Sequence, residues 1–189
     1  VGSYYYLVGQ LPSLSFGAAA PMSSARFREL CADLMGREDY ALLDRCVLDP
    51  PVPGEPSGSA LLDGWTAWER SLRANLGKLR AARTRRDASA LGEAPGEPLD
   101  AVAAAKAAFA QESPLEAELH LDRARWAVLD SAAGYEYFSR DTAYAYLLKL
   151  LLLERKALFR PEEGFAEYQA IYASVMEAAP TSTASGEPK

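Results

Sequence analysis

His120 is the only histidine in the chain, and Cys31 and Cys46 are its only cysteines. One imidazole, flanked by Leu119 and Leu121 in a helical stretch, would need partners for proton transfer or metal binding, and it reads as a structural or surface histidine. Two thiols fifteen positions apart on short amphipathic stretches read as reduced core fillers. No GxxxxGK[ST] sequence is present to wrap a phosphate. Gly92-Glu93-Ala94-Pro95-Gly96 has the glycines of a phosphate loop, but its acid and proline argue against that use. Asp122, Asp130 and Glu154 remain as acid–base candidates. An enzyme built on them needs an accessible pocket in which one carboxyl is shifted strongly upward. The expectation is no catalytic, cofactor-binding or metal-ligating set and no small-molecule substrate.

Charged residues in unexpected places carry more information. Arg73, Lys78, Arg80, Arg83, Arg85 and Arg86 place six bases and no acid between positions 71 and 86. Such a run suits a solvated helix end, where cations meet the negative pole of the dipole. It also suits a surface for an acidic partner or for the acidic half of this chain, and Arg80, Arg83 and Arg86 are its candidate contacts. Asp122 falls on an apolar stripe between Leu119 and Trp126, with Arg125 three residues on and able to pair with it. Glu154-Arg155 interrupts a leucine run. Buried charges of this kind are usually paired internally, and a partner interface is the alternative. The surface candidates are therefore Tyr4, Tyr5, Tyr6, Arg80, Arg83, Arg86, Asp122, Arg125, Glu154 and Arg155.

The elements that must position these residues have a helical period almost throughout. Ser24 can cap a helix carrying Phe27, Leu30, Cys31 and Leu34, which Gly36 can end. A shorter helix carries Leu42, Leu43, Cys46 and Val47. From Ser59 to about Ala90 the stripe is Leu61, Trp65, Trp68, Leu72, Leu76 and Leu79, although Gly64 and Gly77 lie inside it. Asp100 to Gln111 is alanine-rich, with Phe109 as its one large anchor. Ser113-Pro114 starts a helix carrying Leu115, Leu119, Trp126 and Leu129. Ser139 or Asp141 caps the next, with Tyr144, Leu147, Leu148, Leu151 and Leu158. Pro161 opens the last, with Phe165, Tyr168, Tyr172 and Val175 on one face. Only Tyr4-Tyr5-Tyr6-Leu7-Val8 has strand composition. The expected fold is all-α, a compact bundle of about six helices with a short extended N-terminal segment. It forms one domain over 1–179 with a Pro-rich loop at 49–59, a second break at 92–98 and a disordered tail at 180–189.

The composition agrees. In 189 residues, 49% are apolar and 24% charged, the balance of a globular chain with a core. The net charge is −6. Residues 1–95 hold 11 acids and 11 bases, and 96–189 hold 15 acids and 9 bases, so the excess lies in the second half. That half repels phosphate backbones, and no nucleic-acid partner is expected. The uncharged first 25 residues lack a basic start and are interrupted by Gln10, Pro12, Ser13 and Ser15, unlike a signal peptide. The longest apolar run, Leu147 to Leu153, contains Lys149 and is far below the roughly 20 residues of a span. No direct membrane insertion is expected.

The opening Tyr4-Tyr5-Tyr6-Leu7-Val8-Gly9-Gln10-Leu11-Pro12-Ser13-Leu14-Ser15-Phe16-Gly17 resembles the start of an uncharacterised bacterial family encoded within V-type ATP synthase operons. The stretches Leu121-Asp122-Arg123-Ala124-Arg125-Trp126, Tyr137-Phe138, Ala145-Tyr146-Leu147-Leu148-Lys149-Leu150 and Glu154-Arg155 also resemble it. The gene of that family sits where other such operons encode the all-helical socket protein of the V-type ATPase, which joins the central rotor stalk to the membrane ring. The last two helices are faintly similar to that socket protein. The resemblance implies a non-catalytic subunit or assembly partner of a V-type ATP synthase. It would be cytoplasmic and peripheral to the membrane through a protein complex, and would take part in ion transport. It adds no active-site residues and no cofactor. The alternatives are a free-standing helical adaptor or regulator, and an enzyme using Asp122, Asp130 or Glu154.

Overall fold

The computed structural model describes residues 4–51, 55–87, 98–134, 136–159 and 161–178. Among them it has eight α-helices, one 3₁₀ turn and no strand, so the fold is all-α. Six of these helices have eleven or more residues and lie where six of the seven expected helices do: α2 (Ser24–Leu34), α4 (Ala60–Thr84), α5 (Leu99–Phe109), α6 (Pro114–Ala132), α7 (Arg140–Ala157) and α8 (Pro161–Ala178). Two more, α1 (Tyr5–Gly9) and α3 (Arg37–Ala41), are single turns, and α3 is followed by the 3₁₀ turn Leu42–Arg45, which stands in place of the short helix expected to carry Leu42, Leu43, Cys46 and Val47. Within the span 1–179 expected as one domain, contacts group the chain into two units, Val1–Lys156 and Ala157–Lys189. The tail at 180–189 and all but Pro98 of the break at 92–98 lie outside the described residues.

The N-terminal segment is helical where an extended one is expected from composition. Val8 N–H donates to the Tyr4 carbonyl at 2.9 Å and closes a turn. The cause is burial: on a helix Tyr4 and Leu7 share a face, and both are in the core. Strand composition has no effect here, because among the described residues there is no strand to pair with.

Helix starts follow local hydrogen bonding. Ser23, one residue before the expected Ser24, accepts from Arg26 N–H and caps α2. Ser59 accepts from Leu62 N–H, Ser113 from Glu116 N–H just before Pro114, and Ser139 from Thr142 N–H. Gly36 precedes α3 rather than ending α2. Helix α4 runs 25 residues without interruption at Gly64 or Gly77. It stops six residues short of Ala90, because Arg85 turns left-handed at φ 52°. The N–H of Arg86 then closes onto the Ala81 carbonyl at 2.9 Å, as in a Schellman ending.

In the first unit α4, α5 and α6 each pack against the other two. Trp68 Nε1 donates to Asp100 at 2.9 Å near the start of α5, and Arg83 lies 5.0 Å over the Phe109 ring at its end. Helices α4 and α5 therefore run parallel. Helix α6 returns antiparallel through the short link after Phe109. The alanines of α5 make this close approach possible: Ala101, Ala104, Ala105 and Ala108 are buried at helical spacing. They anchor the helix, and Phe109 is only half-buried. On α6 the buried face is Leu121, Asp122, Arg125, Trp126 and Leu129, while Leu115 is exposed and Leu119 half-buried. The expected stripe holds at Asp122, Trp126 and Leu129, and the buried face is rotated from Leu115 and Leu119 towards Leu121 and Arg125. Helix α7 buries Ala143, Tyr144, Ala145, Leu147, Leu148, Leu150, Leu152 and Leu153, positions that go round its axis. It is the central helix of this unit.

The second unit contains α8. Tyr168, Ile171, Tyr172, Val175 and Met176 are exposed along it, and the Tyr168 and Tyr172 rings lie 6.2 Å apart. Leu158 is exposed in the turn after α7. Among the described residues no helix is long and apolar enough to cross a membrane.

Candidate functional site

Two groups of side chains stand out in the first unit: an exposed aromatic patch around α1 and a buried ion-pair network between helices. The patch depends on Tyr4. Its side chain is buried and its hydroxyl donates to Asp39 Oδ2, while its main-chain N–H donates to the Phe138 carbonyl at 2.8 Å. Arg140 donates to Asp39 Oδ1 at 2.8 Å and also to the Gly58 carbonyl, and Tyr144 donates to the Asp39 carbonyl at 2.9 Å. Burial works to raise the Asp39 carboxyl, but the hydrogen bonds from Tyr4 and Arg140 outweigh it and hold Asp39 below its ordinary value. Burial, aided by Asp39, pushes the Tyr4 hydroxyl up.

With Tyr4 and Leu7 turned inward, helical geometry turns Tyr5 and Tyr6 outward. Tyr6 is 88% exposed and Tyr5 61%. The Tyr5 ring lies 4.3 Å from that of Phe138, and Tyr137 beside it in the chain is also exposed. Four aromatic side chains thus face solvent from a backbone that is fixed by a hydrogen-bonded anchor. Large aromatics exposed together, with polar tips, are typical of protein contact surfaces.

The ion-pair network joins α4, α6 and α7. Glu69 is completely buried. Arg125 grips it with two bonds, Nε to Oε2 at 2.9 Å and Nη2 to Oε1 at 2.8 Å. Arg73 adds a third at 2.8 Å and also meets Asp49 at 2.7 Å. The remaining Arg125 amine donates to Asp122 Oδ1 at 2.9 Å. Arg155 approaches that oxygen at 3.4 Å and also pairs with Glu118. Burial pushes the Asp122 carboxyl up, against the pull of Arg155 and Arg125. Its Oδ2 is buried without a hydrogen-bond partner. Acids and arginines alternate from Asp49 through Arg73, Glu69, Arg125, Asp122 and Arg155 to Glu118, a chain of charge that holds the helices in register. Sequence reasoning missed Glu69. The available signal was an acid within the α4 stripe, four residues before Arg73.

The sequence candidates therefore separate. Tyr4, Asp122 and Arg125 lie in the interior, engaged by side chains of this chain, and leave the surface set. Tyr5 and Tyr6 stay at the surface. Glu154 accepts from Ser24 N–H and Oγ at 2.6 and 2.7 Å, so it supports the start of α2 from α7. Arg80, Arg83 and Arg86 are exposed. The first two border a cavity of about 270 Å³ together with Leu76, Phe109, Glu118 and Leu121. The basic run is not brought together as one surface with the tyrosines. A larger cavity of about 550 Å³ is bordered by Gly64, Trp65, Trp68, Asp100, Val128 and Ser131, and Asp100 already accepts from Trp68 there. Cys31 and Cys46 are buried free thiols, each pushed up to about 12 by burial. Among the described residues no group of three His, Cys, Asp or Glu side chains is placed to hold a metal ion.

No protein-family model matches the chain, and neither a curated protein nor a solved structure matches it.

Proposed function

We propose that this protein is a non-catalytic binding protein that uses Tyr5, Tyr6, Tyr137 and Phe138 as its contact surface. Its partner in this reading is a bacterial V-type ATP synthase, which it joins on the cytoplasmic side as a socket-like subunit or as an assembly partner. The observation that carries the reading is the patch itself: rings held open to solvent above the Tyr4–Asp39–Arg140 anchor. A backbone fixed in this way loses little conformational freedom on binding, which favours association. The choice of partner rests on the sequence resemblance of residues 4–17 and of the C-terminal stretches.

The test is affinity purification from native membranes. Wild-type protein is expected to carry the ATPase catalytic and stalk subunits with it, and the Tyr5→Ala/Tyr6→Ala variant is expected to lose them while melting as the wild type does. Recovery of no ATPase protein with the wild type would refute the partner. Loss of some other protein on the same substitution would instead identify a free-standing adaptor.

A further inference from the structure

We propose that α8 is a self-association element that pairs with α8 of a second copy as a short two-stranded coiled coil. The idea is independent of the ATP synthase reading and of the aromatic patch.

The apolar residues of α8 follow a heptad. Tyr168, Tyr172 and Val175 succeed one another by four and three, and Phe165 precedes Tyr168 by three in the sequence. That 3-4-3 spacing is the seam pattern of paired helices. Ile171 and Met176 take the two positions flanking the seam and widen it. The five described residues of this set are each 55–62% exposed. One helix with five large apolar side chains open to water has an incentive to cover them.

The arrangement of charge selects a second copy as the cover. Residues 161–178 hold four glutamates and no lysine or arginine. By heptad register Glu163, Glu167 and Glu177 fall away from the seam, while Glu162 takes a flanking position one heptad before Gln169, ahead of Phe165, the first seam residue. The flanking positions Gln169, Ile171 and Met176 are uncharged. Two copies can therefore meet along the seam without like charges facing each other, which is what flanking positions usually decide. An anionic membrane surface is a poor alternative, because a surface-bound helix uses Lys and Arg on its polar face.

The size of the seam sets the strength. Five half-exposed side chains from each copy would bury on the order of 1,000 Å² in total, the lower bound for a specific interface. The pairing is thus weak and depends on concentration.

Sedimentation velocity on the full chain tests this between about 1 and about 100 µM, the range in which an interface of that size should dissociate. The expected result is a monomer at the low end and a dimer at the high end. The Ile171→Glu/Tyr172→Glu variant should remain monomeric throughout with an unchanged melting temperature, and Tyr5→Ala/Tyr6→Ala should dimerise as the wild type does. A monomer at every concentration overturns the proposal. So does a dimer that survives the α8 substitutions, since its interface would lie elsewhere.

Discussion

Glu69 and Asp122 are both buried acids on Arg125, yet they should respond differently to substitution. Glu69 takes two bonds from Arg125 and one from Arg73. Glu69→Ala leaves a buried guanidinium with one carboxylate where it had two, and breaking a buried pair from one side costs about 3–5 kcal/mol. Asp122 uses one oxygen and leaves the other unpartnered, so Asp122→Asn should cost no more than about 1 kcal/mol. Chemical denaturation of the two variants checks the order; equal losses would mean that Asp122 is as essential as Glu69. Acidity separates Asp122 from Asp39. The Asp39 carboxyl is held below its ordinary value of 3.8, so its contribution is present above that value and is lost as pH falls through the folded pKa. Asp122 is raised, so its ionised form weakens the fold, and stability recovers as pH falls through its folded pKa towards 3.8. Melting curves against pH should show the wild-type advantage over Asp39→Asn shrinking on acidification and that over Asp122→Asn growing. The Asp122–Arg125 pairing is legible from a three-residue spacing. For Glu69 only the Arg73 contact, four residues on, is legible in that way; its Arg125 partner is 56 residues away, and spacing within one helix cannot reveal a partner on another.

At the scale of elements, local chemistry is the most legible. Ser59, Ser113-Pro114 and Pro161 begin helices where capping rules place them. Phase and ends are less legible. The expected stripe of α6 holds at Asp122, Trp126 and Leu129, but the buried face is rotated from Leu115 and Leu119 towards Leu121 and Arg125. The α4 ending needs a left-handed residue at a position without glycine, a choice no periodicity reveals. Arg85 adopts it at φ 52°, where an L side chain crowds its own carbonyl at roughly 1–2 kcal/mol. Arg85→Gly should therefore stabilise the protein by about 0.5–1 kcal/mol, with part of the gain offset by greater freedom in the unfolded chain. Thermal melts check the sign, and destabilisation would mean that the arginine side chain makes up for its strain. Trp126 shows packing on the same scale: its ring meets Phe16 edge-on at 5.7 Å with Lys149 5.3 Å over its face. Trp126→Ala should cost about 3–5 kcal/mol in a denaturant titration.

On the scale of the whole molecule, the first residues of the chain belong to its body. Leu7 is 1% exposed, Tyr4 is bonded to both Asp39 and the Phe138 main chain, and Tyr146 donates to the Pro12 carbonyl at 2.9 Å. By composition alone, three tyrosines beside Leu7 and Val8 should hide together, with the Tyr144–Leu158 helix as their receiver. The observed division is finer. The i, i+3 pair Tyr4 and Leu7 is buried and Tyr5 and Tyr6 are not, and the hydroxyl of Tyr4 is received by Asp39 on α3. Because a helix separates neighbours in sequence onto different faces, stability and surface chemistry can be altered independently within four residues. Leu7→Ala should cost about 2–5 kcal/mol, and each kcal/mol should lower the melting temperature by about 2–4 °C in a chain of this size. Tyr5→Ala and Tyr6→Ala should each stay within about 0.5 kcal/mol of the parent, as exposed sites do. Differential scanning calorimetry on the three variants decides the matter. A Leu7→Ala protein that melts with the parent would mean that α1 is loosely attached, and the tyrosines would then lose the fixed backbone on which their role as a contact surface depends.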